Sequence, residues 1–162
     1  MIVMASSLVA MSQTGSNNRG EARSDKMYVD LNLPSGTLWK SANESGWFYC
    51  SDFRWDEGLP TREQWKELKD YCKWVWTGNG YVVAGNNGNT IYLPAEGYIS
   101  CEGDTVVTGD DQKVRGYYWS SSPYYEMHMF FLFFDDNNIS DLGEWDIGLC
   151  CYKQSVRLIR KK

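Results

Sequence analysis

The chain has 162 residues, 43% of them hydrophobic and 23% charged, ordinary globular usage that excludes a disordered or collagen-like polypeptide. Sixteen Lys and Arg stand against 21 Asp and Glu for a net charge of -5, and the basic residues gather only at Arg160-Lys161-Lys162. A nucleic-acid groove, which needs a basic stripe to neutralise phosphates, is thereby excluded. The unusual quantity is 8 Trp and 11 Tyr, rigid side chains with a polar tip, so numerous that some are expected at the surface.

Residues 1–11 are apolar and small, lack a basic leader region and are broken by Ser6 and Ser7. They read either as the remnant of a secretory signal or as a strand or helix that packs on a partner subunit, giving a homo-oligomer. Residues 12–26 are polar and rich in Ser, Asn, Gly and Arg, a linker composition. The organisation expected is an N-terminal segment and linker over 1–26 and one folded domain over 27–162. No run reaches the roughly 18 apolar residues of a membrane helix, since the best, 127–134, spans eight.

Tyr28-Val29-Asp30-Leu31 has the character of a first strand, Leu33-Pro34-Ser35-Gly36 supplies a turn, and Thr37–Lys40 reads as a second strand. Thr61-Arg62-Glu63-Gln64 matches a capping box, and Trp65, Leu68 and Cys72 follow at helical spacing, which predicts one clear helix over about 61–73. Residues 81–83 and 90–93 flank Gly85-Asn86-Asn87-Gly88-Asn89, a hairpin pattern whose linking residues tolerate positive φ. Further strands are expected at 98–101, 116–121, His128–Phe134 and 155–160, the last as a half-buried strand alternating Val156 and Leu158 with Ser155, Arg157 and Ile159. Residues 129–134 do not alternate, which places them in a strand covered on both faces at the centre of a sheet. Long loops remain at 42–58, 102–115 and 135–154, a length that is usually functional or disordered.

These segments together resemble a known family. Tyr28-Val29-Asp30-Leu31 with Leu33-Pro34-Ser35-Gly36-Thr37-Leu38-Trp39, then Leu59-Pro60-Thr61 with Trp65, Leu68 and Trp74-Val75-Trp76, come first. Gly88-Asn89-Thr90-Ile91-Tyr92-Leu93-Pro94-Ala95 with Gly97-Tyr98, Gly116-Tyr117-Tyr118-Trp119-Ser120-Ser121-Ser122-Pro123 and Ser155-Val156-Arg157-Leu158-Ile159-Arg160 complete the set. In order and spacing they resemble the gut-Bacteroidetes paralogous-domain family over most of 27–160. The resemblance implies an α+β class with a C-type-lectin-like fold of short antiparallel strands and long loops. Some members of that group are variable proteins of diversity-generating retroelements, in which adenine mutagenesis of a C-terminal segment makes a changeable binding surface. On that resemblance 118–160 is the variable region, and the chain is a non-catalytic display protein of the cell surface or a phage particle that binds a protein or glycan. Between Asp141 and Lys153 the chain departs from the family's polar pattern, and diversification accounts for a departure confined between well-kept motifs.

The ligand-binding residues expected are Tyr124, Tyr125, Glu126, His128, Asp141, Leu142, Glu144, Trp145, Asp146, Leu149 and Tyr152. Exposed Tyr and Trp act as anchors at interfaces, and Asp141, Glu144 and Asp146 are expected to set polar specificity. His128 is the single histidine and begins an apolar strand without a nucleophile motif nearby, so no catalytic residue is assigned. Cys50, Cys72, Cys101, Cys150 and Cys151 are odd in number and contain no C-x-x-C, so thiols, free or partly buried, are expected, with a Cys50–Cys72 bridge as the alternative in an oxidising compartment. The adjacent Cys150 and Cys151 carry the one enzyme alternative, a relative of formylglycine-generating enzymes; a structural adhesin subunit assembled through 1–26 is another. Asp135-Asp136-Asn137-Asn138 and Gly103-Asp104 with Gly109-Asp110-Asp111 offer oxygen atoms for calcium but lack EF-hand spacing and read as solvated turns. No cofactor or metal is expected.

Overall fold

The computed structural model describes residues 27–53, 58–103, 106–107 and 114–162; the reading of 1–26 and the turn at 109–111 lie outside the described residues. Strands β1 (Tyr28–Asp30) and β2 (Thr37–Lys40) pair antiparallel through a turn in which Gly36 N donates to Leu33 O at 2.9 Å. Gly36 sits at φ 70°, a conformation that only glycine adopts without steric cost. The far edge of β2 takes the C-terminal strand β13 (Ile159–Lys161), with Ile159 opposite Trp39. The two ends of the domain are thereby tied into one sheet of order β1-β2-β13.

The helix α1 spans Arg62–Tyr71. Thr61 Oγ1 accepts from Gln64 N at 3.2 Å and Gln64 Oε1 accepts from Thr61 N at 2.8 Å, so the capping box satisfies two of the orphan amides of the first turn. Trp65 and Leu68 are fully buried. The chain turns extended at Cys72 and enters β4 (Lys73–Trp76) at once. With β5 (Gly80–Ala84) and β6 (Thr90–Pro94) it forms a meander of order β4-β5-β6. In β6, Thr90 and Tyr92 face solvent while Ile91 and Leu93 are buried, the period-two pattern of a strand with one wet face.

Two further sheets carry the C-terminal half. β9 (Gly116–Tyr125) and β10 (His128–Phe134) form a hairpin, and β11 (Ile147–Leu149) pairs with β10, giving the order β11-β10-β9. The remaining strands β3 (Phe48–Tyr49), β7 (Tyr98–Ile99), β8 (Val106–Val107) and β12 (Lys153–Gln154) form a sheet of very short strands ordered β3-β12-β7-β8. β10 is central in its sheet, but from Phe130 to Phe134 its burial alternates, with Phe130, Leu132 and Phe134 buried and Phe131 and Phe133 half-buried, so the second face is covered only in part. Leu132 and Phe134 join Trp39, Trp65 and Tyr118 in the larger core, while Met129 joins Trp119 and Val156 in a second one, with Phe131 packed against it.

Three expectations are corrected. Thirteen strands in four small antiparallel sheets stand against one ten-residue α-helix among the described residues, so the fold is mostly β and the α+β class does not hold. The capping box dictates its helix locally, but β-branched and aromatic runs punctuated by Gly and Asn form strands elsewhere. Residues 155–160 are not one alternating strand either: Ser155, Val156, Arg157 and Ile159 are all buried, and β13 begins only at Ile159. Arg157 is inside because three acceptors meet its guanidinium, namely Asn43 Oδ1 at 2.8 Å, Lys40 O at 2.7 Å and Tyr92 O. Buried charge is tolerated when it is hydrogen-bonded in this way. The supposed loops 42–58 and 135–154 carry β3, a single 3₁₀ turn at Cys50–Asp52, β11 and β12.

The cysteines are corrected as well. Cys50 bonds Cys150 and Cys101 bonds Cys151, leaving Cys72 as a free thiol. Cys150 and Cys151 are the central residues of the turn between β11 and β12, closed by Tyr152 N donating to Leu149 O at 2.9 Å, and their sulfurs reach the segments following β3 and β7, the strands that flank β12. Two disulfides are compatible with an extracellular protein. Among the described residues no helix is long and apolar enough to cross a membrane.

Candidate functional site

The β9–β10 hairpin and the segment leading into β11 create one aromatic face. Tyr125 pairs with His128 across a two-residue turn of Glu126 and Met127, with Glu126 at φ 34°. The register slips between Met129 and Phe131 where Pro123 faces Met129; proline has no amide to give the ladder, so it sits at an irregularity. Beyond that slip the hairpin tip leaves the core: Tyr124 is 48% exposed, Tyr125 64% and Met127 66%. The Tyr124 ring packs edge-on against Phe130 at 5.5 Å, and the Arg62 guanidinium lies 4.3 Å over the Phe130 ring. The tip is thus anchored on α1 while its outer side chains stay in water.

Trp145 is 94% exposed in the turn before β11, with Glu144 exposed beside it, and Leu149 is 38% exposed on β11. Asp146 Oδ2 accepts from Gly143 N at 2.8 Å and shapes that turn. Burial pushes the Asp146 carboxyl above the ordinary range, against the pull of the Gly143 amide. Tyr124, Tyr125, His128 and Ile147 line an open depression of about 520 Å³. Ile147 also borders a narrower slot of about 160 Å³ whose other walls are Tyr98, Tyr117, Phe131, Tyr152 and Gln154. Burial pushes the Tyr117 phenol up, opposed by Arg115, so a neutral hydroxyl is held there.

Of the residues expected to bind, Tyr124, Tyr125, Glu126, Glu144, Trp145 and Leu149 are exposed, and His128 is half-buried with its ring Nδ1 3.3 Å from Tyr125 O. Asp141 is exposed as well and pairs with Lys69 of α1, which holds its carboxyl below the usual range. Two depart from expectation. Leu142 is fully buried in the main core at φ 49°, and its carbonyl accepts from Arg62 Nε, so it fastens the loop to α1 and offers nothing outward. Tyr152 is half-buried, its ring 5.4 Å from Tyr98, and acts as a wall of the slot.

Sequence reasoning missed Ile147, Tyr98, Tyr117, Phe131 and Gln154 as surface-lining residues. Tyr98 and Tyr117 sit within motifs that read as scaffold, and nothing local signals that β7, β9, β10 and β12 converge. The sulfurs of Cys150 and Cys151 are both held in disulfides, and burial pushes the free Cys72 thiol up to about 11, so the thiol pair on which the enzyme alternative rested is not present as thiols. Asp135 Oδ1 accepts from the amides of Asn137 at 3.0 Å and Asn138 at 2.9 Å, which makes that segment a turn closed on itself. Among the described residues no group of three or more His, Cys, Asp or Glu is placed to hold a metal ion. Comparison with known proteins finds no matching family model, no matching curated protein and no matching solved structure.

Proposed function

We propose that this chain is a non-catalytic display protein that binds a protein or glycan target through the aromatic face of the β9–β10 tip, the Trp145 turn and β11. The observation that carries this reading is the separation of roles within 118–160. Tyr118, Trp119, Val156 and Arg157, at the ends of the segment, are at most 1% exposed. Tyr124, Tyr125, Met127, Trp145 and Leu149 lie between those ends and hold their apolar surface in water. Exposed aromatic area of this kind is costly in a monomer unless a partner covers it, and Trp and Tyr are the residues that dominate interface energetics.

Such a division suits a segment whose outward side chains are diversified, as in the variable proteins of retroelements, on the cell surface or a phage particle. The buried positions Leu142 and Cys150 set a limit to that freedom, since changing either disturbs packing or a disulfide. Binding is tested by selecting ligands from a displayed peptide library and a printed glycan array, then measuring affinity for Trp145→Ala and Tyr125→Ala. Anchors of this type carry about 2 kcal/mol or more each, so at least a thirtyfold loss is expected. Ligands that bind both variants as tightly as the original protein contradict the proposal.

A further inference from the structure

The slot beside the exposed face contains an unmet chemical demand. Gln154 lines it and is 1% exposed, yet its Oε1 has no hydrogen-bond donor. Buried acceptors nearly always have a donor, and an orphan calls for an explanation. Trp39 Nε1 is also without a partner but lies in the packed core. Gln154 differs because its side chain forms part of the slot wall, so a small shift of that wall is enough to bring an incoming donor to Oε1.

We infer that this slot takes a single neutral pyranose ring at the end of a glycan, with the ring face on the aromatic walls and a hydroxyl donating to Gln154 Oε1. This rests on the binding role proposed above and names its ligand class. Size limits the occupant: about 160 Å³ lies below the roughly 300–1,000 Å³ of pockets for drug-sized ligands and suits one ring. Charge limits it further: none of the six lining residues is Asp, Glu, Lys, Arg or His, and the Arg115 beside Tyr117 is engaged with its phenol, so a charged ligand group would be desolvated without a partner in the slot. The three phenols of Tyr98, Tyr117 and Tyr152 each donate and accept, and with the Gln154 amide they meet a molecule rich in hydroxyls. A Leu or Phe side chain of a protein partner brings no donor to the amide oxygen. A Tyr side chain brings one, whereas a pyranose brings several along with an apolar ring face.

The test is saturation-transfer NMR on the full chain with methyl glycosides of neutral hexoses and N-acetylhexosamines. N-acetyl-L-tyrosinamide and N-acetyl-L-leucinamide stand in for protein side chains. At least one glycoside is expected to receive saturation at its ring C–H protons. Gln154→Leu, which keeps the shape and removes the acceptor, is expected to weaken that glycoside at least tenfold while the unfolding temperature stays equal or rises. The inference is overturned if no glycoside is saturated, if Gln154→Leu binds it equally well, or if only N-acetyl-L-tyrosinamide binds. Selected macromolecular ligands are scored against Trp145→Ala in parallel. Loss there without glycoside binding overturns the slot and leaves the face standing, and glycoside binding with no ligand sensitive to Trp145 does the reverse.

Discussion

Reducing the two disulfides will weaken the slot side of the molecule first, and by a large amount. The sheet β3-β12-β7-β8 consists entirely of two-residue strands, too short to hold together on backbone bonds alone. The bonds Cys50–Cys150 and Cys101–Cys151 span 100 and 50 residues, and loops of that size correspond to about 4–5 kcal/mol each in the chain-entropy treatment. Because the loops overlap, the second closure contributes less than the first. For a domain of this size, with unfolding entropy near 2 cal/mol/K per residue, about 4 kcal/mol corresponds to roughly 15 °C. Thermal unfolding followed by circular dichroism before and after phosphine reduction, with thiol counting to confirm complete reduction, is the assay. Hydrogen exchange should lose protection at Lys153 and Gln154 before β5 and β6. A shift below about 3 °C in the fully reduced protein, or peptide mapping that links Cys72 to any other cysteine, would refute the reasoning.

Other consequences follow from single positions. A Cβ on Gly116 would lie 2.2 Å from Phe134 Cζ, inside the core, whereas one on Gly143 meets nothing within 4 Å. Gly116→Ala should therefore cost about 3 kcal/mol in denaturant unfolding and Gly143→Ala much less; equal effects would contradict the packing described. Thiol titration of the unreduced protein at pH 8 should find one cysteine, slow in the native state because burial raises the Cys72 pKa to about 11 and fast in denaturant; three or more reactive thiols would exclude the disulfide pattern. The raised Asp146 carboxyl binds its proton more tightly folded than unfolded, so its contribution is present at acid pH and is lost as pH rises above about 4 through the folded value. Asp146→Asn, which keeps an acceptor for the Gly143 amide, should thus raise the unfolding temperature at pH 7 and change it little at pH 3, and the opposite ranking would contradict the assigned burial.

What could be read from the sequence was local or repetitive in pattern. The capping box at Thr61 and Gln64 gives the start of α1 because its two bonds lie within four residues, and the unbroken apolar run of β10 marks the centre of its sheet, although one of its faces is covered only in part. The exposure of Trp145 was legible from its charged neighbours. The burial of Leu142 was not, because it depends on a left-handed backbone and on Arg62, 80 residues away. Arg157 was misread for a related reason: arginine in an alternating stretch suggests a wet face, and its acceptors come from segments 65 and more residues distant. Cysteine pairing and the slot both follow from β12 lying between β3 and β7, a long-range order that no local spacing encodes.

The outermost side chains of the hairpin tip and the Trp145 turn carry little of the fold, while the ends of the same segment carry much of it. Saturation substitution across 118–160, read by protease resistance of surface-displayed variants, measures that division directly. Positions 125, 127, 144, 145 and 149 should accept most of the twenty residues without loss of resistance, position 124, whose ring packs on Phe130, and position 126, at φ 34°, should accept fewer, and Tyr118, Trp119, Leu142, Val156 and Arg157 should accept very few. Equal intolerance at Tyr124, Tyr125 and Trp145 would mean that these rings hold the fold together, and a display face would not exist.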